Sequence, residues 1–213
     1  MTQRIQLDPS LPPSYFRRYD ETSDDQFYVP PRLVVHIDEP AIAATTELFR
    51  ELLPPGGAIL DLMSSWRSHL PADVSYRRVA GQGMNETELR QNPQLTEYTV
   101  QNLNQNPTLP YAADEFDAAI VTVSVQYLTQ PVAVFREVGR VLKRGGPFIT
   151  VFSNRMFPTK AVAIWQALDD AGHARLVELY YRQTGLFDNI RTEDRSPNPH
   201  RSDPLFATIG IRA

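Results

Sequence analysis

The sequence predicts an α/β fold, a seven-stranded mixed sheet with helices on both faces, preceded by a loop-like arm. Three observations predict it. Phe116 to Val121 is a short apolar run opened by Phe-Asp, as a buried strand would be. Pro131 to Leu142 has amphipathic helical spacing, and Gly145-Gly146 then turns the chain into a second apolar run, Phe148 to Phe152. Strand, helix, glycine turn and strand at this spacing form a βαβ unit, hence a parallel sheet. Finally, Phe187 to Thr192 and Leu205 to Ile211 alternate as antiparallel strands do, separated by the polar loop Arg195 to Pro204.

A chain of 213 residues, 42% hydrophobic and 22% charged, can bury a full core as one large domain with an arm. A net charge of -4 and a pI near 5.6 argue against a dedicated nucleic-acid binder, which usually shows a basic face. The sequence has no cysteine, so disulfides and thiolate metal sites are excluded. No apolar run approaches the ~18 residues of a membrane span, and the N-terminus lacks a signal pattern. The expected setting is a soluble, cytoplasmic one with no membrane partner.

In chain order, residues 1–40 read as an arm. Pro9, Pro12, Pro13, Pro30 and Pro31 forbid long helices, while Tyr15, Phe16, Tyr19, Phe27 and Tyr28 are too many aromatics for a solvated tail. The arm is either purely structural or helps close a pocket. Residues 41–213 form the domain proper. Pro40 starts a helix carrying Ile42, Leu48, Phe49, Leu52 and Leu53, which Pro54-Pro55-Gly56-Gly57 ends. Ala58 to Met63 is strand one. Pro71 limits the following helix to an unusually short one. Val74 to Ala80 is strand two, and Asn85 with Glu88 forms a capping box that opens a helix to Asn92. Glu97 to Val100 is strand three and Phe116 to Val123 strand four. After strand five come helices at about Thr159 to Ala171 and Ala174 to Thr184.

The run Phe116-Asp117, with Arg140-Val141-Leu142-Lys143-Arg144-Gly145-Gly146, resembles the distal half of a class I S-adenosylmethionine-dependent methyltransferase of the type 11 family. Arg144 stands where that family usually has proline. Leu109-Pro110-Tyr111 ahead of Phe116-Asp117 resembles the family's approach to strand four, and the resemblance runs from about Ala41 to the C-terminus. It implies a Rossmann-like class I methyltransferase fold with strand order 3-2-1-4-5-7-6 and strand seven antiparallel. It also implies S-adenosylmethionine as cofactor and methyl transfer to a small molecule.

In doubly wound sheets, ligands bind beyond the carboxyl ends of the strands at the switch point, so four loops carry the candidate cofactor site. After strand one come Asp61, Met63, Ser64, Ser65 and Trp66, where the family has glycines beside the methionine end of the cofactor. Asp61 is retained, Met63 and Ser65 replace the glycines, and Asp61 either faces the ligand or caps the turn. After strand two, Gly83 or Gln82 stands where the family places a ribose-binding acid, with Met84 beside it and Asn85 or Glu86 as substitutes from the helix start. After strand three, Asn102 and Leu103 match the adenine side. Ser124 and Tyr127 follow strand four, Tyr127 either closing the pocket or lying in the core. The loops around Asp61 and Gly83 resemble a subgroup of the family in which the altered glycine loop is a group trait.

Methyl transfer needs alignment of acceptor and donor more than a set of catalytic residues, and no catalytic residue is assigned. Candidate substrate-side groups are His69, Ser153, Asn154 and Arg155, with His36 oriented by Asp38 as a base. His69, His173 and His200 are too scattered for a metal site. Ser64 to Leu70 contains no glycine, which excludes a nicotinamide fingerprint. The alternative to an enzyme is a non-catalytic, methyltransferase-like module that binds a ligand or partner through the reshaped cleft.

Overall fold

The computed structural model describes residues 6–213; the first five residues of the arm lie outside the described residues. The arm contains a 3-10 turn at Pro13–Phe16 and one short helix, α1 (Asp24–Phe27). Then follow α2 (Glu39–Leu52), β1 (Ala58–Leu62), β2 (Arg78–Gly83), α3 (Glu86–Arg90), β3 (Glu97–Val100) and β4 (Ala118–Thr122). The chain continues through α4 (Pro131–Val141), β5 (Pro147–Phe152), α5 (Ala163–Ala167), α6 (Asp170–Thr184), β6 (Phe187–Asp194) and β7 (Phe206–Arg212).

All seven strands form one sheet in the order β3-β2-β1-β4-β5-β7-β6. The first five are parallel, and β7 runs antiparallel between β5 and β6. This is the Rossmann-like class I methyltransferase arrangement. β1 is buried at every position and β4 and β5 at all but one each, which accounts for their continuous apolar runs. On one face α2 packs Leu48 and Phe49 against Ile59, Ile120 and Ile149; on the other, α4 and α6 pack Phe135, Val138, Tyr180 and Tyr181 against Leu60 and Phe148.

The Phe-Asp opening of β4 has a definite task. Phe116 is buried and bridges to Leu142, while the Asp117 carboxylate accepts the Ala58 amide at 2.8 Å and pairs with Lys143 at 2.6 Å and Arg77 at 2.9 Å. One side chain thus joins the starts of β1 and β4 to the end of α4. Gly145, with φ of +80°, makes the left-handed turn that returns α4 to β5.

Two expectations are corrected. No helix follows β1: residues 63–77 form turns and bends, with left-handed backbone at Met63 and His69. Strand two begins at Arg78 rather than Val74 and continues through Gly83, so Gly81-Gln82-Gly83 lies within the sheet. The pairing of Gly83 with Val100 and of Gln82 with Thr99 holds it there.

The arm is bound along its length. Leu7, Leu11, Tyr15 and Phe16 pack onto the α4–α6 core, and the amide of Ala163 donates to Arg17 O at 2.7 Å. Lys160, fully buried, donates to Thr22 O at 2.6 Å and lies 3.2 Å from the Asp20 carboxylate and 3.5 Å from that of Asp24. Arg18 completes the cluster by pairing with Asp24 at 2.6 Å.

Candidate active site

The carboxyl ends of β1 to β4 open on one cleft, roofed by the arm from Tyr28 to Ile37. Its empty volume, open mouth included, is about 1190 Å³, enough for a nucleoside-sized ligand and a second small molecule. The eleven residues expected around a cofactor, Asp61, Met63, Ser64, Ser65, Gly83, Met84, Asn85, Asn102, Leu103, Ser124 and Tyr127, all line it. His36 and His69 line it too. Asn154 and Arg155 do not: both are exposed, and Arg155 is turned away to Asp203 at 2.9 Å.

The loop after β1 takes left-handed backbone at Met63, φ +54°, a conformation that ordinarily favours glycine. This carries the Ser64 amide to Gln82 O at 2.7 Å. The two serine hydroxyls go to protein carboxylates, Ser64 Oγ to Asp61 and Ser65 Oγ to Glu88, each at 2.6 Å. Asp61 is 2% exposed, and burial pushes its pKa up to about 6 against the lowering effect of the Ser64 and Ser68 hydroxyls. Asp61 therefore both lines the cleft and caps the turn. Trp66 reaches the roof, its indole N–H donating to Val34 O at 2.9 Å with the Arg67 guanidinium 4.2 Å over its ring.

At the end of β2, a Cβ on Gly83 would collide with the carbonyl oxygen of Ser64. No acid can stand at that position while the first loop keeps its path. Gln82 is equally committed: its carbonyl oxygen accepts the Met63 amide at 3.1 Å and its amide donates to Gln101 O at 2.7 Å. Asn85 caps α3 by accepting from the Glu88 amide and donates to the carbonyls of Tyr28 and Val29 in the arm. Glu86 is exposed and lies outside the cleft lining. The sequence-based candidates for a ribose acceptor are thus spent on structure or turned away. Glu88 closes no reciprocal capping box; its carboxylate accepts from the Arg32 amide and from Ser65, each at 2.6 Å.

Beyond β3, Asn102 Oδ1 accepts the Asn104 amide and its Nδ2 donates to Asp25 of the arm. Asn104 bonds Asp24 and Tyr127 O, so this loop and the arm are one polar network. The Tyr127 hydroxyl accepts the Phe157 amide at 2.8 Å and its ring stacks on Phe157, so it is a wall of the cleft as well as a core residue. The hydroxyl oxygens of Thr122 and Ser124, at the end of β4, are buried without a hydrogen-bond partner. Both line the cleft, and buried hydroxyls of this kind are satisfied by a ligand or water.

In the roof, the His36 ring meets Phe157 edge-on at 5.3 Å, and Arg32 lies 4.3 Å over Phe27. Asp38 is not the partner of His36. It caps α2 by accepting the Ala41 amide and, at its other oxygen, accepts the Asp203 amide of the loop before β7. His69 is held neutral: burial first, then Arg67 and His36, push its pKa down to about 4. Sequence reasoning missed Arg32, Phe157, Thr122 and Glu88 as cleft residues. Glu88 alone carried a signal, its place in the capping box, and that signal pointed to the helix rather than the cleft.

Residues 67–150 match the model of a family described as a methyltransferase domain. No curated protein matches the sequence. Solved structures share the fold at low identity. One is the putative methyltransferase of Haloferax volcanii seen in complex with the Trm112 methyltransferase activator (15% identity, TM-score 0.61, 82% of this chain and 90% of that one). Another is an S-adenosylmethionine-dependent methyltransferase from Mesorhizobium loti (17%, 0.55, 79% and 98%). A third is a protein from Pyrococcus horikoshii (20%, 0.59, 81% and 89%). The sheet order is that of class I methyltransferases, and residues 67–150 are similar to a methyltransferase domain; the Mesorhizobium loti neighbour depends on S-adenosylmethionine. The cleft fits such a cofactor: it offers orphaned hydroxyls at Thr122 and Ser124, apolar walls at Met84 and Leu103, and a carboxylate at Asp61 for a cationic group.

Proposed function

We propose that the chain transfers a methyl group from S-adenosylmethionine to a small molecule held between the strand ends and the arm. The observation that carries this reading is the single roofed cleft over the carboxyl ends of β1 to β4, with buried, unpartnered hydroxyls at its base. A bound cofactor supplies a sulfonium-activated methyl group, which leaves the protein to align the acceptor and exclude water. Met84 and Leu103 flank the adenine; Asn102 Oδ1 retains a lone pair for its amino group. Asp61 faces the ammonium group of the methionine end. The Ser64 and Ser65 hydroxyls position carboxylates of the protein and leave the ligand to the loop's backbone.

Arm residues 6–40 act as the roof in this reading. Tyr28, Val34 and His36 bound the acceptor space and Trp66 pins the roof through Val34, which limits the acceptor to a small molecule. His36 and His69 line the cleft, and neutral His69 can accept a hydrogen bond from an acceptor hydroxyl or amine. Incubating the full chain with S-adenosylmethionine and a panel of small phenols, alcohols and amines tests the reading. Acceptor-dependent release of S-adenosylhomocysteine is expected. Cofactor binding with no turnover on any acceptor, and tight binding of a different ligand in the same cleft, would favour a binding module instead.

A further inference from the structure

We propose that the methyl acceptor is a small organic acid whose carboxylate is held in the cleft by Arg32 and Arg67, a substrate class that rests on the methyltransferase reading. Both side chains line the cleft, and among the described residues neither guanidinium is paired with a carboxylate. The three acids that share the cleft are engaged elsewhere. Asp24 takes Arg18 at 2.6 Å and Asn104 at 2.9 Å, Asp61 accepts Ser64 Oγ, and Glu88 accepts the Arg32 amide and Ser65 Oγ. The Arg32 guanidinium donates to Phe27 O at 2.9 Å and Pro30 O at 3.5 Å, which leaves most of its N–H donors free. Among the described residues no hydrogen bond occupies the Arg67 guanidinium, which lies on the Trp66 ring.

Both guanidiniums adjoin one short roof segment. Trp66, which carries Arg67, bonds Val34 O, and Val34 is two residues from Arg32. Arginine forks beside that segment match the two oxygens of a carboxylate. A cationic acceptor finds its cage already filled. Phe27, Tyr28 and Phe157, rings that could receive an alkylammonium, surround the Arg32 guanidinium at 4.3, 5.6 and 5.4 Å, and Arg67 covers Trp66 at 4.2 Å. The protein's own cations thus attract an anion and repel an ammonium, so specificity comes from both signs. Val34, Val35 and Ile37 line the cleft beside them and suit an acid with an apolar body. The carboxylate is a handle rather than the methylated group: its lone pairs are committed to the guanidiniums, and the group that receives the methyl lies elsewhere on the acid.

The test uses three probes with one apolar body and different charge: cinnamate, cinnamyl alcohol and cinnamylamine. Each is titrated calorimetrically into the full chain saturated with S-adenosylhomocysteine, and into its Arg32→Gln and Arg67→Gln variants. Cinnamate should bind about tenfold or more tightly than the alcohol or the amine, the effect of one charge-assisted hydrogen bond. Arg32→Gln should weaken cinnamate by about tenfold, and Arg67→Gln, at an exposed position, by about threefold, with the alcohol bound as before. Because Arg67 is exposed, its variant keeps the fold and decides the matter if Arg32→Gln loosens the roof. Alcohol or amine bound as tightly as cinnamate, or none of the three bound at millimolar concentration, overturns the proposal and leaves the methyltransferase reading standing. Variants that weaken S-adenosylhomocysteine and keep the ranking of the three probes would assign the arginines to the cofactor, which also overturns it. Failure of S-adenosylhomocysteine to bind the unmodified chain overturns both.

Discussion

The carbonyl oxygen of Ser64 occupies the space that a side chain on Gly83 would need. Gly83 ends β2 and Ser64 lies two residues past β1, and the Ser64 amide donates to Gln82 O at 2.7 Å, so the contact extends the β1–β2 pairing. The first loop lacks glycine yet takes a left-handed step, ordinarily glycine's, at Met63, and a glycine is required at position 83. The altered loops are therefore one coupled solution to packing β1 against β2.

Gly83→Ala should cost about 1–3 kcal/mol, the usual penalty for forcing atoms into a packed site. Gly83→Asp should cost at least as much and bring no gain in affinity for S-adenosylhomocysteine, because the added carboxylate has to displace Ser64 first. Chemical denaturation and calorimetric titration of both variants check this. A stable Gly83→Asp protein with improved affinity would contradict it.

Asp61 makes stability depend on pH. Its folded pKa of about 6 lies above the ~3.9 of an unfolded aspartate, so between those values the folded chain holds more protons than the unfolded one. Stability then falls as pH rises through that window, by roughly 3 kcal/mol in total, and the cost is fully present above pH 6. Asp61→Asn should flatten this slope and raise stability at pH 7 by about 1–3 kcal/mol. A cation in the cleft favours the ionised form, so affinity for S-adenosylhomocysteine should increase from pH 5 to 7 in the unmodified chain and not in the variant. Denaturation and titration across that range read both effects.

Lys160 anchors the arm. Replacing it by alanine removes the buried cation that ties Thr22 O and Asp20 to the domain, while Asp24 keeps Arg18, and should lower stability. Limited proteolysis should then cut between Arg17 and His36 in Lys160→Ala and spare that segment in the unmodified chain. Removing the whole arm has a larger consequence, because Leu7, Leu11, Tyr15 and Phe16 pack on the core of the domain. A chain starting at Pro40 should lose stability as well as cofactor affinity, which thermal denaturation measures.

Much of the fold was legible because it rests on local pattern. The buried runs of β1, β4 and β5, the spacing of α4 and the terminal alternating pair give five of the seven strands and their directions from residues alone. The failures lie where distant contacts decide the backbone. Val74 to Tyr76 have strand-forming composition, yet pairing begins at Arg78, in register with Ala58. The short helix expected before Pro71 does not form because Met63 and His69 adopt left-handed backbone and Asn92 bonds Ser65 O and Ser68 Oγ from outside. In the cleft, the four loops could be named because strand ends identify them. Their bonding could not: Gln82 and both serines are spent on neighbouring elements of the domain, while Asn85 and Glu88 bond an arm about fifty residues distant in sequence. Asn154 and Arg155 sit just past β5 as expected, but the chain turns at Phe157 to stack on Tyr127, leaving them outside.

In the proposed function, the cleft over β1 to β4 is a working S-adenosylmethionine site despite its altered loops. Calorimetric titration of the full chain with S-adenosylhomocysteine tests it most directly, because binding requires no knowledge of the methyl acceptor. Saturable one-to-one binding is predicted, weakened by Asp61→Asn by more than the roughly tenfold expected from one neutral hydrogen bond. No heat of binding at millimolar ligand, with the protein folded, would contradict the account.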